Sequence, residues 1–144
     1  MERALAEHAL AAEEARDAAN DPVQAAERVI LSLRDRLVLW FGPDGFQALL
    51  GRALHRVQGQ HPQLSVVRAV EGDDHPLYEL RQAQREPAAD AANREAVLAL
   101  IAGMLEVLTK LVGGDLVTRL VHQIWPDGAD LGDAATEKRI SIRE

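Results

Sequence analysis

The sequence has no cysteine and few aromatic residues, and each shortage excludes a class of protein or site. Without thiols the chain forms no disulfide, holds no thiolate metal site and has no cysteine nucleophile. Aromatic residues make up 3% of the 144 positions, so a core must be packed from Leu, Val, Ile and Ala. Hydrophobic residues nevertheless reach 47%, which is enough for one domain with a real core.

Positive charge is also scarce. The chain carries 16 Lys and Arg against 23 Asp and Glu, for a net charge of −7. Binding to nucleic acid or to an anionic bilayer depends on an excess of positive charge. The composition therefore disfavours both as partners, and a local patch of Arg52, Arg56, Arg81 and Arg85 is the alternative for nucleic acid.

Familiar catalytic and targeting motifs are missing as well. The chain has no P-loop, no dinucleotide-binding fingerprint and no Gly-x-Ser-x-Gly nucleophile elbow, and no cofactor is expected. Asp127, Asp130 and Asp133 are three positions apart, whereas an EF-hand calcium loop needs oxygen ligands at every second position. The N-terminus lacks a basic segment followed by an apolar one, so we expect no secretory signal and a cytoplasmic protein.

The longest apolar pattern runs from Glu95 to Val112. Its large apolar residues recur at steps of three and four, which predicts a helix buried on most sides. They are Val97, Leu100, Ile101, Met104, Leu105, Leu108, Leu111 and Val112. Glu106, Lys110 and Gly103 interrupt the pattern, so it predicts a core helix rather than a transmembrane span.

Small residues form a second pattern on this helix. Ala92, Ala96, Ala99 and Gly103 lie four, three and four positions apart, so they share one helix face. Glycine within a helix costs about 1 kcal/mol relative to alanine, and close approach of another helix would offset that cost. This small-residue ridge therefore predicts a helix contact, either within the chain or with a second copy.

The whole pattern predicts an all-α, single-domain helical bundle of five or six helices. We expect an Ala-rich N-terminal helix or arm at 1–20, a bundle core at 21–126 and a polar C-terminal tail at 127–144. A group of valines makes residues 64–70 a candidate short extended segment.

The second predicted helix has the clearest boundaries. Asp21 is suited to cap it, Pro22 to occupy its first position, and the turn Gly42–Gly45 to end it. Glu27 and Arg28 are predicted on or near the solvent side. The predicted buried residues are Val23, Ala26, Val29, Ile30, Leu33, Leu37 and Trp40.

Two tryptophans and two histidines are candidate interaction or ligand residues. Trp40 and Trp125 stand at predicted helix ends, where tryptophan either seals a core or anchors an interface. His55 and His122 flank apolar helix faces, which makes them candidates for lining a pocket between helices. The alternative for each histidine is a half-buried position at the edge of the core.

A metal site is the remaining chemical hypothesis. His61, Asp73, Asp74 and His75 fall in one irregular region, and histidine nitrogen with carboxylate oxygen suits zinc. Their spacing matches no helical ligand pair. The alternative is that they are ordinary loop residues, with one aspartate capping the helix that follows Pro76.

These patterns favour a non-enzymatic protein–protein interaction or regulatory module that forms a homodimer. We expect its interface on the small-residue ridge and the first helix, with Trp40 and Trp125 as further candidates. The alternative is a small-molecule-binding or enzymatic helical bundle with an inter-helix pocket near His55 and His122.

Overall fold

Helices form the architecture of the chain, which confirms the all-α prediction. The computed structural model describes residues 2–16, 21–67, 75–83 and 90–126, and within them there is no β-strand. The predicted tail at 127–144 lies outside the described residues. The elements are α1 (Glu2–Arg16), α2 (Pro22–Gln58), a 3-10 helix (Pro62–Val66), α3 (Tyr78–Ala83), α4 (Asp90–Val112) and α5 (Gly114–Ile124).

The central helix α4 is buried over most of its circumference. It packs against α1, α2 and α5 and also contacts the 3-10 helix. Its almost fully buried large side chains are Val97, Leu98, Leu100, Ile101, Met104, Leu105, Val107 and Leu108. Leu111 was predicted on the buried face but is 58% exposed, because it lies in the last turn of α4 beside a surface groove. No described helix combines the length and the apolar character needed to cross a bilayer.

α2 consists of two helical segments joined at Gly42. The backbone of Gly42 has φ 75° and ψ 171°, a conformation that residues with a side chain rarely adopt. Pro43 follows and suits the start of the second segment. The first segment is capped as predicted, because the Asp21 carboxylate accepts the backbone N–H of Val23 at 3.0 Å and of Gln24 at 3.4 Å. Counting the break, the described residues contain six α-helical segments besides the 3-10 helix, in agreement with the predicted five or six helices.

The buried face of the first α2 segment matches the prediction except at two positions. Trp40 was predicted inward but is 43% exposed, since it lies at the end of the segment next to the break. Glu27 was predicted near solvent but is 5% exposed. Its carboxylate accepts the backbone N–H of Leu77 at 3.0 Å. This hydrogen bond provides the buried carboxylate with a donor and joins α2 to the residue before α3. The buried residues that match are Val23, Ala26, Val29, Ile30, Leu33 and Leu37.

The N-terminal helix α1 packs against both α2 and α4. Arg94 on α4 links α4 to α1. Its Nε donates to Glu14 Oε2 at 3.0 Å, and its Nη1 donates to Glu7 Oε1 at 3.3 Å. The hydrogen bond that Arg94 donates to Glu14 and the negative charges of Glu14 and Glu7 raise the pKa of Arg94 above its ordinary value. The guanidinium therefore stays charged wherever the protein is folded. The buried residues of α1 are Leu5, Ala6, Ala9, Leu10 and Glu13.

The segment predicted as extended is mostly helical in its described part. Pro62–Val66 forms a 3-10 helix, with the Leu64 N–H donating to the His61 carbonyl at 2.9 Å. Such short-range bonds satisfy the backbone without a partner strand, which explains why no strand forms here. Val67 has extended backbone angles, φ −85° and ψ 136°, and residues 68–70 lie outside the described residues.

Gly103 lies where α4 packs closely against the second segment of α2. A Cβ atom at Gly103 would lie 3.4 Å from Val57 Cγ1, 3.7 Å from Ala53 Cβ and 3.8 Å from the Ala53 carbonyl oxygen. The helix contact predicted from the small-residue ridge is therefore made within the chain at this position.

Two substitutions at Gly103 test this packing. A methyl group fits at ordinary contact distance and favours helix, so Gly103→Ala should leave the free energy of unfolding unchanged or raise it by up to about 1 kcal/mol. Gly103→Leu should lower it by about 1–3 kcal/mol, because the longer side chain collides with Ala53 and Val57. Urea denaturation followed by circular dichroism measures both. Equal stability of Gly103→Leu and the parent would contradict the contact.

Candidate functional site

The predicted interface ridge is divided between the interior and the surface. Ala96 and Gly103 are buried, Ala99 is half-buried and Ala92 is exposed. The proposed contact with a second copy is therefore corrected at Ala96 and Gly103, since neither is accessible to another molecule. The ridge serves mainly to bring helices of the same chain together.

The two tryptophans occupy opposite environments. Trp125 is buried and its indole N–H donates to Glu13 Oε2 at 2.8 Å, so it seals the core instead of presenting an interface. Trp40 is partly exposed, and its ring packs edge-on against Phe41 with the ring centres 6.2 Å apart. Trp40 remains available as an interface residue, whereas the same prediction for Trp125 is corrected.

The two candidate pocket histidines are both exposed. Neither His55 nor His122 lines the two surface hollows described below. The ring of His122 instead packs edge-on against that of His8, with the ring centres 5.4 Å apart. His8 Nε2 lies 2.6 Å from the Trp125 carbonyl oxygen, and because a carbonyl only accepts, this nitrogen donates. The arrangement joins α1 to the end of α5 and does not enclose a ligand.

The candidate metal ligands do not form a cluster in the described part of the chain. Asp73 and Asp74 lie outside the described residues. His61 is partly exposed, and the exposed His75 places Nδ1 3.6 Å from Glu27 Oε1. Among the residues that the structure describes, no group of three His, Asp or Glu side chains is arranged to hold a metal ion.

A buried carboxylate on α1 joins three helices. Glu13 is 4% exposed, and its Oε1 accepts the Nε–H of Arg28 on α2 at 3.2 Å. Its Oε2 accepts the indole N–H of Trp125, directly after α5, and Arg28 also donates to the Glu13 carbonyl at 3.2 Å. A buried carboxylate needs such partners because it loses its hydration. Both oxygens accept hydrogen bonds from donors of the same chain, so Glu13 acts as a structural tie between these helices.

The buried positions of Glu13 and Glu27 were missed in the sequence, although a signal was present. Glu13 follows Ala9 by four positions and Leu10 by three, which places it on the apolar face of α1. Glu27 follows Val23 by four positions and lies on the apolar face of α2 in the same way. An acidic residue in register with an apolar face indicates a buried carboxylate when a donor from another helix is available.

A groove with both basic and apolar walls lies between the second α2 segment and the end of α4. Its volume is about 290 Å³. A second, shallower hollow of about 480 Å³ lies at the turn from α4 to α5. We call the first the basic groove; its lining residues are Arg52, Arg56, Val107, Lys110 and Leu111. Arg81 and Arg85, the other two arginines of the suggested nucleic-acid patch, have side chains outside the described part.

Several large apolar side chains are exposed on the described surface. Leu39 is the most exposed of them at 80%, and it lies beside Trp40 at the end of the first α2 segment. Leu111 and Leu116 flank the turn between α4 and α5, while Val66 and Tyr78 lie elsewhere. The molecule therefore presents two apolar surfaces close to helix ends, one beside Gly42 and one beside Gly113.

Replacement of Glu13 tests the buried tie. Glu13→Gln should lower the free energy of unfolding by about 1–3 kcal/mol, because an amide has one acceptor oxygen and its NH₂ group must face Arg28 or Trp125. Glu7→Gln, an exposed change on the same helix, should cost less than about 1 kcal/mol. Thermal and urea unfolding compare the two variants. A Glu13→Gln protein as stable as Glu7→Gln would show that the buried contacts contribute no net stability.

Comparison of the chain with protein-family models, with curated proteins and with solved structures finds no match. Function is therefore inferred from the residues of this chain alone.

Proposed function

We propose that this chain is a non-enzymatic protein–protein interaction module that self-associates through the surface formed by Leu39 and Trp40. The observation that carries this proposal is the strong exposure of Leu39 next to a partly exposed tryptophan. Burial of one leucine or tryptophan side chain at an interface contributes about 1.5–3 kcal/mol. Two adjacent residues of this kind supply the centre of an interface, where tryptophan is a common hot spot.

The polar interior supports an interaction role over catalysis. Glu13 and Glu27 are the buried carboxylates of the described residues, and each is engaged by donors of the same chain. Candidate general bases such as His55 and His122 are exposed, and neither lines either of the two surface hollows described above. A catalytic residue acts within hydrogen-bond reach of a bound substrate, and exposed side chains outside these hollows are poorly placed to hold one.

Sedimentation velocity over a range of micromolar concentrations tests self-association. The parent chain should sediment as a dimer or larger species, and Leu39→Asp should shift it towards monomer because a charge is then buried at the contact. The side chain of Leu39 is mostly in solvent, so this change should leave the fold intact by circular dichroism.

Leu111→Asp is the matched control, since it makes the same chemical change at the other exposed apolar surface. It should self-associate as strongly as the parent. A parent chain that is monomeric at these concentrations would overturn the proposal. Dissociation by Leu111→Asp but not by Leu39→Asp would place the interface elsewhere and contradict the role of Trp40.

A further inference from the structure

We propose that the basic groove binds an acidic amphipathic helix of another protein. The inference deepens the proposed interaction function and rests on it, but it concerns a different surface from that of Leu39 and Trp40. It combines the shape of the groove, its unbalanced positive charge and the exposed leucine in its wall.

Two antiparallel helices form the walls of the groove, and its volume of about 290 Å³ is enough to receive apolar side chains of a bound helix. Val57 on α2 faces Gly103 on α4, whereas Arg52, five residues earlier, shares the groove with Lys110. The two helices therefore run in opposite directions and form a channel between them. Amphipathic helices bind in such channels by inserting apolar side chains while their polar face stays in solvent.

Positive charge in the groove is only partly balanced. Arg56 Nη2 donates to Glu106 Oε1 at 2.6 Å, which neutralises one of the three cations. Arg52 and Lys110 form no ion pair with any residue in the described part of the chain. Two uncompensated cations on a chain of net charge −7 favour a ligand with negative charge and repel basic ones.

An apolar residue lines the same groove as these cations. Leu111 lines the groove and is largely exposed, while Val107 beneath it is buried. A second hollow at the turn after α4 is lined by Leu116, itself exposed, and by Arg119 and Asp115. A ligand with an apolar stripe flanked by carboxylates therefore matches both the leucines and the cations.

A purely structural role accounts for only part of this arrangement. Lys110 lies in the last turn of α4, where a cation interacts favourably with the helix dipole, and arginine stems cover apolar surface. Neither effect covers Leu111, which the end of α4 leaves exposed in the same groove as these cations. A partner that covers this leucine would remove its apolar surface from water and so favour binding.

Fluorescence anisotropy with the full chain tests the proposal. The probe is a labelled amphipathic peptide with leucines on one face and glutamates on the other, and its matched control has lysine in place of each glutamate. The glutamate peptide should bind saturably and lose affinity as salt increases, because exposed charge pairs are screened. The lysine peptide should bind much more weakly.

Variants of the chain locate the binding surface. Arg52→Gln and Lys110→Gln should each weaken binding about two- to fivefold, and together about tenfold. Leu111→Asp should weaken it about tenfold or more through loss of apolar contact and added repulsion. Arg36→Gln, which removes an exposed arginine that contacts Gln123 elsewhere on the surface, is the control and should bind as the parent does.

Leu39→Asp separates this inference from the proposed self-association. It should bind the peptide as the parent does, even where it sediments as a monomer. A parent chain that self-associates but does not bind the peptide would refute only the groove proposal, and a parent chain that binds the peptide but is monomeric would refute only the proposed dimer. If Leu111→Asp fails to fold, the Arg52→Gln, Lys110→Gln double variant replaces it in the test, because it alters only side chains at the groove surface.

Three results would overturn the groove proposal. The first is equal affinity for the glutamate and lysine peptides, which would indicate nonspecific apolar binding. The second is unchanged affinity of the Arg52→Gln, Lys110→Gln double variant. The third result has two parts: a peptide with alanine in place of leucine binds as strongly as the leucine peptide, and inorganic phosphate displaces it at constant ionic strength. Together these would identify a simple anion site.

Discussion

Burial of the leucine-rich surface of α4 is the constraint on which the rest of the structure depends. The chain has no disulfide and few aromatic side chains, so most of its apolar burial comes from aliphatic residues. Leu100, Ile101 and Met104 are almost completely shielded from water, and truncation of such side chains costs about 2–5 kcal/mol each. One helix with apolar groups on nearly every side requires neighbours on every side, and α1, α2 and α5 provide them.

Close packing around α4 has consequences for polar groups. α1 is short and rich in alanine, so its apolar contacts are supplemented by ion pairs from Arg94 and by the Glu13 tie. The buried Glu13 carboxylate needs donors, and Arg28 and Trp125 supply one to each oxygen. Directional bonds of this kind select the relative positions of three helices, which aliphatic packing alone leaves less well determined.

The exposed apolar residues are those that packing of the interior leaves uncovered. The small-residue ridge lies partly under the second α2 segment, so it contributes to the fold more than to recognition. Residues at helix ends are left uncovered instead: Leu39 and Trp40 beside the Gly42 break, and Leu111 beside the Gly113 turn. A glycine with positive φ ends or redirects a helix abruptly, and the apolar residues next to it then extend past their neighbours. These two ends are where we place contacts with other molecules.

Periodicity in the sequence determined the helices, because apolar spacing of three and four residues favours one structure whatever lies around it. The sequence also determined that α4 is buried, that Asp21 caps α2 and that the helix breaks at Gly42, because each of these features follows from residues close together in the chain. Tertiary structure alone decided which face of a helix end is covered, as Trp40 and Leu111 show. It likewise decided that Glu13 and Glu27 are buried and that Gly103 meets Ala53. Each of these outcomes depends on a donor or a packing surface distant in sequence, and no local pattern specifies where such a partner will lie.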